Sequence, residues 1–498
     1  MSRKQKLLLN TITGMLKQII AVLCGFILPR FMLMYYGSET NGLISSITHF
    51  LSFISLLDMG VGAVIQANLY KPLAEKNDYE VSKIVLASKR FFRKLAYIFL
   101  VYIFILVFVF PNIAGNNYEP LFTITLLLII AFSTFVQYFF GMTYELLLNA
   151  DQKSYIQLLL QIVTLIMNTA LAVLLMKCGA SIHVVKLASS LIFIIRPIVQ
   201  ALYVKRNYSL QNKIKLVGEP IKQKWNGFSQ HLASVVCQNI DVVVLTTFSS
   251  LENVSVYAMY YLVVNGVEQI IMTAATGLEA MFGNMIANKE TNKLLNTFEA
   301  IEWIVHITVT LLFTITALTI VPFISVYTRG ITDANYNVPV FGMLLVSAYA
   351  FECLRIPYFR IIKAAGHFKE TQNGAFISAG LNIVITVIFV FKYGLIGAAI
   401  GTMVAMFYHT CYFVWYLKSH IINRSVKFYV KFLIMDIIVF FVSKYLNSYI
   451  SWKGESYLDW VLFAAKNGCL VIIIIMIINV IFNRQLIKQC IVLKNIKS

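Results

Sequence analysis

The residues of this chain that could do chemistry are charges and amides placed where a membrane would reject them. Lys17 sits in a long apolar segment on a line with Asn10, Gly14, Ala21 and Gly25, at steps of three and four that make one helix face. A small and polar stripe of that kind faces other helices or water. Lys17 there either meets a phosphate or carboxylate crossing the membrane, or snorkels to the cytoplasm or pairs with an acid. A second stripe, Asn226, Gln230, Ser234, Cys237 and Asp241, repeats the spacing, and Gln137, Gly141, Glu145 and Asn149 form a third. Asn265, Gln269, Thr273 and Thr276 run beside Glu268 and Glu279. Glu352 and Arg355 stand one turn apart, as an internal ion pair or as a binding site, ahead of Pro357 and Arg360. Arg196 precedes Pro197, and Asp58 lies between small residues in Leu57-Asp58-Met59-Gly60-Val61-Gly62. Each such group costs a few kcal/mol in hydrocarbon unless it faces a cavity or a partner. We take Lys17, Arg355, Arg196, Asn10, Gln230 and Asp241 as candidate substrate-binding residues, and Asp58, Glu145 and Glu268 as candidates for coupling or gating. His49, His231 and His306 occur singly and read as packing residues rather than a proton relay.

The elements that must position these groups are membrane helices. The 498 residues are 59% hydrophobic and 13% charged, about half the charge of an ordinary soluble domain. Fourteen apolar segments can be placed: 8–35, 43–68, 95–111, 121–149, 155–176, 183–204, 225–248, 256–286, 299–327, 338–364, 371–391, 394–417, 428–448 and 458–482. No stretch alternates like a membrane barrel strand. The break at Lys392-Tyr393 is the weakest of the series. The expected fold is all-α and polytopic. A leading signal peptide is not expected, because the first segment runs past Met34 without a cleavage site.

Charge sets the orientation. With fourteen spans, one set of loops and both termini hold most of the loop cations, including seven between Lys71 and Lys94. The opposite loops offer only Lys177, Arg329, Lys392 and Lys453. Positive residues mark the cytoplasm, so both termini are expected inside a cytoplasmic membrane. The net charge of +19 is therefore mostly topology and not a nucleic-acid footprint. The 71–94 stretch reads as an amphipathic segment lying on anionic membrane lipid.

A hydrophobic hairpin beginning at Tyr36-Gly37 returns about 213 residues later after Leu251-Glu252-Asn253, which suggests two structural halves. We expect a six-helix bundle over 1–210, a cytoplasmic linker at 211–224 with Gly218 and Pro220, a second bundle over 225–420, and an extra helix pair with a tail over 421–498. No Gly-rich phosphate loop, clustered cysteine pair or large soluble insert is present, so neither an ATPase engine, a metal site, a cofactor nor an enzyme is expected.

The pattern resembles the polysaccharide transporters (O-antigen-type flippases) of the multidrug/oligosaccharidyl-lipid/polysaccharide flippase superfamily. The residues that carry the likeness are Leu28-Pro29-Arg30, Tyr36-Gly37 with Asn41-Gly42-Leu43, Leu56-Leu57-Asp58-Met59-Gly60 and Tyr70-Lys71-Pro72-Leu73-Ala74. Leu148-Asn149-Ala150-Asp151-Gln152 is echoed by Ile362-Lys363-Ala364-Ala365-Gly366. The resemblance implies two pseudo-symmetric six-helix bundles around a V-shaped central cavity, plus two C-terminal helices. It implies movement of undecaprenyl-pyrophosphate-linked oligosaccharide units to the outer leaflet, in company with polysaccharide polymerase machinery. Basic cavity residues hold the pyrophosphate in that family, a role Lys17 and Arg355 fit. The acids Asp58, Glu145, Asp241, Glu268 and Glu279 depart from a purely cationic cavity and keep a drug or organic-cation antiporter as the alternative.

The orientation has a direct test. Cysteines substituted at Asn116 and Asn335 should react with an impermeant reagent applied to intact cells, whereas those at Lys213 and Asn495 should not. Reaction at Lys213 would overturn the inside placement of the termini.

Overall fold

A computed structural model describes residues 3–58, 61–115, 118–211, 214, 228–450, 452, 454 and 456–484. The described residues are almost entirely helical, and twelve helices are long and apolar enough to cross a membrane. This is a multi-pass membrane protein. Its chain folds as two compact units, Met1–Ser255 and Val256–Ser498.

In the first unit, helix α1 (Arg3–Ser52) holds two of the expected spans. Gly37, at φ 80° and ψ 173°, breaks the helical backbone between them. That φ suits glycine, and the gap between the expected segments 8–35 and 43–68 shrinks to this one residue. The second span continues through a 3-10 turn (Phe53–Asp58) into α2 (Val61–Ala74). Asp58 thus ends an irregular turn inside a span, and its side chain lies outside those described. Helix α3 (Asp78–Ile113) starts at an Asn77 cap, whose side chain accepts from the Glu80 amide at 3.1 Å. It begins well before residue 95, where its apolar segment was expected. Val81, Ile84, Val85 and Phe92 are buried in the core of the unit, so the 71–94 face packs on protein and the reading of it as a lipid-surface segment is corrected.

Helix α4 (Pro120–Val136) passes through a π-helical turn (Gln137–Gly141) into α5 (Met142–Ala150) as a single span. Helices α6 (Ser154–Lys177), α7 (Ile182–Asn207) and α8 (Phe228–Phe248) follow, and α9 (Leu251–Ala274) begins in this unit. The expected linker at 211–224 lies almost wholly outside the described residues. Helix α8, assigned to the second bundle by sequence, packs in the first unit with the start of α9 along the second half of α1 and the 3-10 turn. The pairing is antiparallel and polar: Asn41 donates to Ser255 Oγ at 2.8 Å, and Ser46 Oγ lies 2.7 Å from Thr246 Oγ1. His49 Nδ1 lies 2.8 Å from Asn239 Oδ1, and His231 Nε2 reaches the Ser55 carbonyl at 2.7 Å.

The second unit continues with α10 (Leu278–Ala287), α11 (Thr291–Tyr327), α12 (Pro339–Leu354) and α13 (Ile356–Ala364). The doubtful break in the sequence is real: α14 (Gln372–Tyr393) and α15 (Leu395–His420) form a hairpin turning at Gly394, φ 52°. They meet at Gly397-x-x-x-Gly401, where a β-carbon would fall 2.3 Å from the Phe389 carbonyl and 2.1 Å from Thr386 Oγ1. Small residues at that spacing let membrane helices approach backbone to backbone. Helix α16 (Val426–Asn447) carries Lys427, Lys431, Asp436 and Lys444 and is too charged to rank among the twelve apolar helices. Helix α17 (Tyr457–Phe482) opens with a capping box of Ser456 and Asp459. With the break at Gly37 and with α16, the layout accounts for the fourteen expected segments.

The seam between α1 and α8–α9 depends on Gly42, where a β-carbon would fall 1.8 Å from the Leu251 carbonyl oxygen. Gly42→Ala forces that backbone contact apart and should cost about 1–3 kcal/mol, read as a lower melting temperature of the purified chain. Gly14→Ala is the control, since a methyl there meets nothing within 4 Å. Equal melting of Gly42→Ala and wild type would refute the close-approach account.

Candidate functional site

Lys17 is half-buried in the first half of α1, and among the described residues it makes no ion pair or hydrogen bond. One turn away on the same face, Gly14 looks onto open space. Asn10, at the start of that stripe, is committed elsewhere: it donates to the Gln152 carbonyl at 3.0 Å and accepts from the Tyr155 amide at 2.8 Å. It thereby holds the turn into α6. Lys6 joins it there, 3.2 Å from Asp151, which also takes Lys153 at 2.7 Å and the Tyr208 hydroxyl at 2.6 Å. Burial alone would push the Asp151 carboxyl up, but Lys153, Tyr208 and Lys6 together hold it below its ordinary value. Burial and that carboxylate push the Tyr208 phenol well above its own.

A second group forms around the π-helical turn. Gln137 runs past Gly141, which has no room for a side chain beside the Gln137 amide, and donates to Glu145 at 3.1 Å. Arg196 on α7 interacts electrostatically with Glu145, donates to Thr164 Oγ1 at 2.6 Å and lies over the Phe193 ring. The extra residue of a π turn, a frequent mark of functional sites, turns this stripe toward α7. The structure therefore brings Glu145 and Arg196 together, although the sequence assigned them separate roles. Lys186, farther along the first unit, lies 3.9 Å from Met32 Sδ and has no acidic partner among the described residues. Asp241 is 2% exposed on α8, and the side chain of Gln230 lies outside those described.

In the second unit Arg355 pairs with Glu352 and meets His409 Nδ1, with Phe413 beneath its guanidinium. The internal ion pair, one of the two readings of that spacing, forms. Glu268 on α9 lies within electrostatic reach of both members of that pair. Glu279 is taken by Lys363 at 3.2 Å and Arg360 at 3.5 Å.

A further polar cluster was noticed by sequence only through His306. Arg424, in the loop before α16, binds Glu299 at 2.7 Å and also Glu302, which is fully buried and accepts from the Tyr358 hydroxyl. One turn along α11, His306 Nδ1 lies 2.6 Å from Asp436, whose other oxygen accepts from Thr310 at 2.6 Å. Glu299, Glu302, His306 and Thr310 stand at helical steps of three and four, the signal that could have found them. The cluster fastens α16 to α11 and α13.

No protein-family model matches the chain, and no curated protein matches it. Among solved structures, a lipid II flippase, MurJ, in its inward closed conformation superposes with a TM-score of 0.69 at 17% identity, over 96% of this chain and 100% of that one. An inward-facing multidrug resistance transporter of the MATE family, in the MOP superfamily, gives 0.66 at 11% identity over 80% of this chain and 93% of that one. The Vibrio cholerae MATE transporter VcmN, as a mutant, gives 0.58 at 13% identity over 84% and 99%. These likenesses define one shared architecture: the chain has the fold of the lipid II flippase and of the MATE transporters.

Proposed function

We propose that this protein is a flippase that moves undecaprenyl-pyrophosphate-linked oligosaccharide from the cytoplasmic to the outer leaflet by alternating access. The observation that carries the reading is coverage. The lipid II flippase fold accounts for nearly the whole chain, while the MATE structures cover 80% and 84% of it. A lipid headgroup with pyrophosphate and sugars needs a polar path, a few cations, and amides or hydroxyls. In this reading Lys17 is the first cation met by the pyrophosphate, in the open ground beside Gly14. Arg355, paired with Glu352, and Arg196, in the field of Glu145, offer further positive charge, and Gln230 and Asp241 complete the proposed path, while Asn10 holds the turn into α6 beside it. Glu145, Glu268 and Asp58 are the proposed coupling or gating acids. No step of this transport makes or breaks a covalent bond. The proposal places both termini in the cytoplasm and a polysaccharide polymerase downstream.

A second reading rests on Glu268 and Glu352 around a single Arg355. An acid in excess beside Phe413 and Phe351 suits an organic cation, and an ion-coupled antiporter would use it.

Reconstituted vesicles decide between them. Wild type should move a fluorescent polyprenyl-pyrophosphate oligosaccharide to the opposite leaflet. Lys17→Arg should retain much of that rate, although Arg offers a planar fork in place of a point charge. Lys17→Ala should lose about ten- to hundredfold per inserted molecule, the worth of one charged contact. A Lys17→Ala chain that transports like wild type would remove the residue from the site. Vesicles that leave the lipid-linked sugar in place while exporting an organic cation would overturn the flippase reading.

A further inference from the structure

Away from the proposed path, the first unit carries a groove of about 580 Å³ between α3, α4, α5 and α7. Its walls are apolar, and Phe132, Phe140, Ile198 and Leu202 stand exposed in it. Its polar groups gather at one end. Lys205 lies in the last turn of α7, and Lys89 lies near the start of α3 with its ammonium 4.8 Å from the Tyr144 ring centre. Both belong to the same end of the unit, because the Gln211 amide donates to Ser82 Oγ at 3.0 Å and joins the end of α7 to the start of α3. That end carries the basic loops that the charge pattern assigns to the cytoplasm.

The dimensions fit a lipid. From Lys205 inward to Ile194 the groove follows about three turns of α7, roughly 16 Å, which is the depth of one leaflet of hydrocarbon. The charges fit as well. Several acids of this unit already have partners: Asp151 has Lys6, Lys153 and Tyr208, Glu145 has Gln137, and Glu80 has Lys83. Among the described residues, neither Lys89 nor Lys205 has an acidic partner. An apolar slot with two uncompensated ammonium groups at its interfacial end selects an anionic amphiphile over a zwitterionic one.

We propose that this groove binds an anionic phospholipid, its phosphate on Lys89 and Lys205 and one acyl chain between Phe132, Phe140, Ile198 and Leu202. The site is independent of the transport reading and would stand if the substrate were a drug. The experiment reconstitutes the full chain in vesicles doped with phosphatidylglycerol or phosphatidylcholine bearing the same photoactivatable acyl chain, and maps the labelled peptides. Phosphatidylglycerol should label the peptides holding Phe140 and Ile198 well above phosphatidylcholine. The preference should fall about fivefold for each lysine removed in Lys89→Gln and Lys205→Gln, and return in the Lys89→Arg, Lys205→Arg double variant. Equal labelling by the two lipids, or a preference unchanged by the Gln variants, would refute the site. Displacement of the label by a polyprenyl pyrophosphate, but not by excess unlabelled phosphatidylglycerol, would assign the groove to substrate and overturn the proposal.

Discussion

A charge inside a bilayer must be answered by something nearby, and that requirement organises this molecule. Hydrocarbon offers no water to an ammonium or carboxylate, so each in-span ion either pairs across helices or stands where polar matter passes. Glu145 accepts from Gln137 within the field of Arg196, Glu352 pairs with Arg355, and Glu299 and Glu302 pair with Arg424. The Arg424 pairs also tie its loop to α11, because apolar packing gives little net drive for association in lipid. Against that background the first unit presents Lys17 and Lys186 without a carboxylate among the described residues.

Such ties have a second effect. Removing one member strands the other in a low-dielectric interior, a cost several times the worth of an exposed pair. Arg424 shows the arrangement clearly. It comes from the loop before α16, is nearly buried, and spans two carboxylates on α11 while Phe298 and Phe428 cover its faces. The last two helices are therefore held to the second unit by ions and hydrogen bonds as well as by the apolar cluster around Phe432, Val471 and Ile474.

Much of the fold was legible because length, hydropathy and glycine position are local properties. The breaks at Gly37 and Gly394 and the spacing of fourteen segments follow from them. The stripes containing Lys17, Glu145 and Arg355 were legible for the same reason. Periodicity shows which face of a helix is polar but not which helix lies opposite. Asn10 shared a face with Lys17, yet the loop at 152–155 takes its amide. The apolar face over 81–92 matched a lipid surface and protein core equally well, and the core took it. Asp436 was passed over because its partners, His306 and Thr310, lie far away in sequence.

The π-helical turn at Gln137–Gly141 bears on how this span can change its length. One residue more or fewer there alters the helix by only about 1.5 Å but turns everything beyond it by about 100°. Hydropathy would hardly register the difference, and the span would still cross. Glu145, however, would swing away from the Gln137 amide and from the field of Arg196. Insertions and deletions within this segment are thus silent to the membrane and audible to those contacts, so alignment gaps in relatives should avoid it even where the apolar residues themselves vary freely.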